Sequence, residues 1–448
     1  MSSAAQTPTR TLPEGRDLTL DLVRVACVVL VVFAHILFSG VGRNPDGSIL
    51  IERTVEAQTW FDVASWIADI MPLFFVVGGF AAAAGWRSAQ KRGQSESEFV
   101  RVRLARLARP ALPLFVFFSV ALGATRMLGI DPSLVDTVAI GVGSPLWFLA
   151  AYMLAQALAP RMMALHARYG RRVLAVLLGC ALAVDLVRFL LVRDVFGVHS
   201  LAPDRYGVGE ELFGIPNVLF VWLFCQQVGF FLFDGWFRRL RAWQLLALMA
   251  AGTAVAVGLV PVIGYSWNML ANQWPPTVPM ALMAIVQAAG LTLLHRPLTA
   301  LTRVRAVQAA MLLIGSRLMT VYLWHLPMVM VLIGIELLLP VPLPHPGGPV
   351  WWWTRVPFLL LVLAAVWLLS LPLARFEKVP PLTPVRSGAA TPLGVALFVV
   401  APLAITAYGL DFPLALLGAV CTALALWLTG GFARRGAAPA VGSAGRPG

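Results

Sequence analysis

Apolar runs of about twenty residues recur from one end of this chain to the other, and most charges fall between them. A bilayer core is crossed by about 20 helical residues. Every backbone polar group inside it must be satisfied internally. The pattern therefore confines the fold to an all-α, polytopic transmembrane helix bundle. Composition agrees. Of 448 residues, 59% are hydrophobic and 12% are charged, and the mean hydropathy is +0.81. A soluble domain carries roughly 25% charged residues. The net charge of +13 needs no nucleic acid, because cationic loops facing anionic lipid account for it.

About 12 spans are expected, near 18–40, 62–85, 110–128, 145–160, 173–192, 211–234, 243–264, 276–295, 307–339, 351–374, 392–409 and 412–431. The fourth can start earlier, near Asp136, and Pro327 can tilt or break the ninth. With the N-terminus placed in the cytoplasm, 25 of the 34 cations fall on cytoplasmic segments and 5 on the opposite loops. Four more, Arg24, Arg188, Arg317 and Arg355, lie inside spans. This asymmetry orients the bundle with both termini cytoplasmic. Only two of the cations are lysines, a bias that hints at a bacterial genome rich in G and C and hence at a bacterial cytoplasmic membrane.

The expected organisation is a cytoplasmic segment over 1–17, a ten-span domain over 18–375, and a proline-rich linker over 376–391. Two additional helices over 392–431 and a disordered cytoplasmic tail over 432–448 follow. The first apolar run has no small-residue cleavage site after it, so it reads as retained. Cys27, Cys180, Cys225 and Cys421 lie in apolar runs without C-x-x-C spacing and read as small buried hydrophobes.

The first span, DLVRVACVVLVVFAH from Asp21 to His35, carries an acid, an arginine and a histidine. Such groups cost about 2.5–3.5 kcal/mol each at mid-membrane. At about 100° per residue, Arg24 and His35 fall within about 20° of each other, and Asp21 lies about 40–60° away. All three share one helix face. Arg24 and His35 are ~16 Å apart along the axis, so they cannot touch but can line one polar channel. An interfacial Asp21–Arg24 pair, with His35 bonded to a neighbouring helix, fits the same spacing.

These residues carry a resemblance. D-x-x-R, then ten residues and a histidine, resembles the signature of the membrane acyltransferase-3 family. MPLFFVVGGF (71–80), FVRVRLARLARP (99–110), PLWFLAAYML (145–154) and VYLWHLP (321–327) are similar to further stretches of that family, in the same order. The resemblance covers about 18–375, leaving the last two spans outside the usual ten. It implies a multi-pass O-acyltransferase that uses acyl-CoA as donor substrate and a hydroxyl-bearing acceptor, a glycan, glycolipid or glycosylated metabolite. Gly78 departs from the pattern, standing where the family usually has serine. A different polar partner is the simplest consequence.

Acyl transfer to an alcohol needs the hydroxyl proton removed as oxygen attacks the thioester. A partly buried neutral histidine suits that task, and His35 is the candidate base. Arg24 can bind a phosphate or carbonyl oxygen or order the bundle, and Asp21 reads as its partner. Arg103 and Arg106 fall on a loop expected to be cytoplasmic. Their guanidinium forks suit the phosphates of coenzyme A, and Arg101 and Arg109 are secondary candidates. Asp69 lies at a depth similar to that of His35 and could orient its ring. Tyr322 and His325 read either as a helix-pinning pair or as lining of the substrate path. Trp147, also a path candidate, and Trp351–Trp353 read as an interfacial belt. His166, His295 and His345 carry no assignment, and no metal spacing appears. A secondary transporter fits the spans and buried charges too, although no related halves are visible. A non-catalytic scaffold, with Gly78 marking a decayed site, is the third reading.

Overall fold

The computed structural model describes residues 18–44, 46–129, 141–143, 145–197, 211–340, 343–385 and 387–432. The expected segment 1–17 and the tail from 433 lie outside them. In chain order the elements are α1 (Leu18–Phe38), β1 (Gly40–Arg43), β2 (Ile49–Glu52), α2 (Phe61–Ala68), α3 (Met71–Lys91), α4 (Glu96–Met127) and α5 (Leu146–Tyr169). Then follow α6 (Arg171–Asp185), which continues as a π-helix over Leu186–Val195, α7 (Glu211–Gly214), α8 (Asn217–Phe233), α9 (Ala242–Leu259), α10 (Val278–Leu293) and α11 (His295–Leu301). The last are α12 (Arg305–Gly315), α13 (Leu318–Leu338), α14 (Pro349–Glu377), α15 (Ala390–Tyr408) and α16 (Phe412–Leu428).

Among the described residues, 10 helices are long and apolar enough to cross a membrane, or 11 if α10 and α11, bent by 62°, form one span. The polytopic helical bundle expected from the sequence is present, with ten or eleven such helices beside about twelve expected spans. The helix α16 is apolar but has 17 residues, about 26 Å at 1.5 Å per residue. The expected ninth span is two helices, α12 and α13, separated at Ser316 and Arg317. Pro327 lies inside α13 and does not break it.

The third span also differs from its expected bounds. It starts at Glu96 because Ser95 and Glu98 form a capping box. Ser95 Oγ accepts from the Glu98 amide at 3.2 Å and Glu98 Oε2 from the Ser95 amide at 2.9 Å. Two orphan donors are thereby satisfied, and Arg101 to Arg109 become helical rather than loop residues. Arg101 Nε donates to the Thr429 carbonyl (2.8 Å) and Nη2 to that of Thr383. Arg109 reaches the carbonyls of Lys378 (3.0 Å) and Gly431 (2.8 Å). These two arginines hold the linker and the end of α16, while α16 packs on α4 and α15 on α5. The last two helices are thus built into the bundle.

The second span is interrupted. Between α2 and α3, Asp69 Oδ1 accepts from the Met71 amide at 3.0 Å, and Pro72 follows in the first turn of α3. Acidic capping with proline just inside is the local signature of a helix start. At mid-bundle α3 and α8 approach closely through Gly79 and Gly229. A Cβ on Gly229 would collide with the Val76 carbonyl oxygen. The hairpin β1–β2 (Gly40 opposite Glu52) turns through Asp46 and Gly47, whose φ of 85° suits glycine. It folds over the end of the bundle where α1 stops. Trp353 is exposed as a belt residue would be, but Trp351 is buried beneath the Arg355 guanidinium. The four cysteines are free, and Cys180 alone is not fully buried.

Candidate active site

A cavity of about 510 Å³ opens where α1 ends and α3 and α5 begin. His35 and Tyr322 line it from α1 and α13, and Asp69 from the α2–α3 break. Trp147 and Phe148 line it from α5 and Arg53 from beside the hairpin. Four of the expected site residues, His35, Asp69, Trp147 and Tyr322, therefore share one chamber. Arg24, Arg103 and Arg106 do not border it.

His35 is paired with His325. His35 Nδ1 lies 2.8 Å from the Val31 carbonyl, and His325 Nδ1 lies 2.6 Å from that of Tyr322. A carbonyl only accepts, so the hydrogen bonds assign the proton of each neutral ring to Nδ1. His325 Nε2, 3.3 Å from His35 Nδ1, is then a second acceptor for the His35 Nδ1–H. The lone pair of His35 falls on Nε2, which has no hydrogen-bond partner among the described residues. The arrangement is that of a base and its orienter, with an imidazole and a backbone carbonyl as the orienting groups.

Asp69 does not hydrogen-bond His35. Its Oδ1 caps α3, its carbonyl accepts from Gln287 Nε2 at 2.6 Å, and its Oδ2 has no partner. Tyr322 and His325 do not bond through their side chains. Tyr322 donates to the Pro145 carbonyl at 2.6 Å, fixing α13 to the start of α5. Trp147 is buried and stacks on Trp222 at 5.4 Å. It is a packed wall rather than a belt residue, because α5 runs through the interior of the bundle.

Toward the other end of α1, Arg24 lies within Coulombic reach of Arg103 and Arg106. Arg24 forms no ion pair with Asp21, contrary to expectation, and no carboxylate among the described residues pairs with any of the three arginines. Arg103 donates to the Ala81 carbonyl at 3.4 Å and lies over the Phe99 ring at 4.9 Å. Like charges held together without a counter-ion repel, and an anion with several oxygens relieves that strain. The space that Gly78 leaves is filled. A Cβ there would stand 2.8 Å from Tyr152 Cε2 and 3.3 Å from its hydroxyl.

Sequence reasoning missed three features. The histidine pair joins residues 290 positions apart, which no spacing reveals. Tyr152 lay inside a quoted motif but drew no assignment. Asp185, fully buried, accepts from Tyr265 Oη (2.6 Å), Asn217 Nδ2 (2.8 Å) and the Val278 amide (2.9 Å). It ties α6, α8 and α10 together, and an acid inside an apolar run was the available signal.

A polytopic helical membrane protein with a histidine pair beside a chamber, and a cationic cluster deeper in the same bundle, is the class that fold and site define. A family model described as an acyltransferase domain matches residues 17–375. The chain belongs to this acyltransferase-3 family and is a membrane acyltransferase. Neither the curated proteins nor the solved structures gave a match.

Proposed function

We propose that the protein moves an acetyl or other short acyl group from acyl-CoA to a hydroxyl of a carbohydrate, glycolipid or glycosylated metabolite in a bacterial cytoplasmic membrane. The observation that carries this reading is the histidine pair, which leaves the His35 Nε2 lone pair without a partner among the described residues, on a residue lining the chamber. In the proposed step the acceptor oxygen attacks the thioester carbon while Nε2 takes its proton. The C–O bond forms, the C–S bond breaks, and the imidazolium returns the proton to the leaving thiolate. During that interval Val31 and His325 accept from the charged ring and stabilise it.

Coenzyme A carries a pyrophosphate and a 3′-phosphate. Arg24, Arg103 and Arg106 supply charge and forked donors for them, and no carboxylate among the described residues pairs with any of the three. The positive-inside asymmetry supports an orientation with this cluster toward the cytoplasm and the chamber toward the outer face. The pantetheine arm would then bridge the ~16 Å between Arg24 and His35. The test is turnover of labelled acetyl-CoA by the protein in proteoliposomes, with and without membrane glycan extract. Failure to transfer label from any short acyl-CoA to any hydroxyl acceptor would sink the reading.

Two substitutions probe its parts. Arg103→Gln is expected to raise KM for acetyl-CoA by about tenfold or more, the magnitude of a lost charge-assisted hydrogen bond, with kcat little changed. An unchanged KM would remove Arg103 from donor binding. His325→Phe is expected to lower kcat about tenfold at constant KM, because one acceptor for the charged base is lost. Asparagine there should restore part of the rate. A purely structural His325 would instead lower the melting temperature and leave the kcat of the folded fraction intact.

A further inference from the structure

Two glycines of α3, Gly78 and Gly85, are seven residues apart and so lie on one helix face. Each leaves room for a polar side chain from another helix. Gly78 faces the Tyr152 ring of α5, and Gly85 faces the Arg103 guanidinium of α4. Tyr152 is held firmly. Its ring stacks on Phe148 at 5.3 Å and meets Phe74 and Phe75 edge-on at 5.7 and 5.9 Å. Its hydroxyl has no hydrogen-bond partner among the described residues and is not one of the sealed, unsatisfied atoms of the interior. The hydroxyl is therefore not sealed off, although Tyr152 does not itself line the chamber. Arg103 and Arg106 both lie within Coulombic reach of it.

The helix geometry places this hydroxyl between the two parts of the site. Phe148 borders the chamber, and Tyr152 is one turn further along α5, about 6 Å. Met71 also borders it, and along α3 Gly78 is about 10 Å and Gly85 about 21 Å further on. The order from the chamber is His35, then Tyr152 against Gly78, then the arginines. A rigid aromatic ring with an uncommitted hydroxyl, packed against a glycine, thus stands at a depth between the chamber and the arginines.

We propose that Tyr152 is a donor-binding residue, whose hydroxyl hydrogen-bonds the amide-bearing arm of the acyl donor between its phosphates and its thioester. The inference rests on the donor reading above and names a residue that reading does not use. It also gives Gly78 a purpose, because any larger residue there would push the ring aside.

The test compares binding of acetyl-CoA with binding of 3′,5′-ADP, which keeps the 3′-phosphate and the first 5′-phosphate but has no arm, by calorimetry on the full-length protein in nanodiscs. Tyr152→Phe is expected to weaken acetyl-CoA about fivefold, the loss of one neutral hydrogen bond. Its affinity for 3′,5′-ADP and its melting temperature should not change. Because Gly78→Ser alone crowds the ring, it is paired with Tyr152→Ala. The double variant should bind acetyl-CoA more tightly than Tyr152→Ala by itself, as the serine hydroxyl takes the vacated place. Wild-type acetyl-CoA affinity in Tyr152→Phe would overturn the proposal, and so would an equal loss for both probes. If the unaltered protein bound neither probe, the donor reading itself would fall and take this inference with it.

Discussion

Replacing His35 with glutamine is expected to reduce acyl transfer by about 10²–10⁴-fold, the usual contribution of a positioned general base. Affinity for acetyl-CoA should stay close to that of the unaltered protein, because Arg24, proposed to bind its phosphates, lies ~16 Å away along α1. Glutamine can keep one hydrogen bond from the ring position to Val31 or His325, so the helix contact survives while the proton acceptor is lost. The measurement is single-turnover transfer of labelled acetyl groups beside a binding isotherm for the same preparation. A variant that bound and transferred normally would take His35 out of the chemistry and leave the chamber without a base.

Gly229→Val is expected to abolish correct folding, or to cost about 3 kcal/mol or more where the protein survives. Overpacking of a core that can relax already costs about 1–3 kcal/mol. Here relaxation is blocked, because the new Cβ would meet backbone: the Val76 carbonyl, and the Gly79 Cα at 2.9 Å. Helices α3 and α8 would have to separate along their whole contact. Helix association in a bilayer depends on such close approach of small residues. The readouts are monodispersity in detergent and the melting temperature. Gly334→Ala in α13 is the control. Nothing lies within 4 Å of a Cβ there, and alanine favours helix over glycine by about 1 kcal/mol, so the melting temperature should hold or rise. Equal behaviour of the two variants would show that the glycine seam does not set the packing.

The two substitutions separate what a linear reading could reach from what it could not. Gly229 sits in an apolar run as unremarked as that of Gly334, and only the identity of the neighbouring helix makes one indispensable. The arginines repeat the lesson. Arg101, Arg103, Arg106 and Arg109 look alike in sequence, where all four fall between the expected spans 62–85 and 110–128. The Ser95–Glu98 capping box was legible and would have put them on a helix. Their division into two pairs was not legible. It depends on α15, α16 and the linker lying on one side of α4, with Arg24 and Tyr152 on the other. Asp69 and His35 were placed at one depth by counting turns, and they do share the chamber. Counting could not show that the partner of His35 is His325.

By itself the sequence determined the class of fold and the family. Hydropathy is a local property with a fixed length scale, and the bilayer converts it directly into helices. The polar stripe of α1 was fixed in the same way, since the angle and rise per residue are set by the helix. Tertiary structure alone decided which groups meet, His35 with His325 and Tyr152 with Gly78, and that Arg24 comes within Coulombic reach of Arg103 and Arg106. Those meetings depend on helix order, crossing and depth, and these follow from side-chain packing between segments far apart in the chain, for which a one-dimensional pattern has no term.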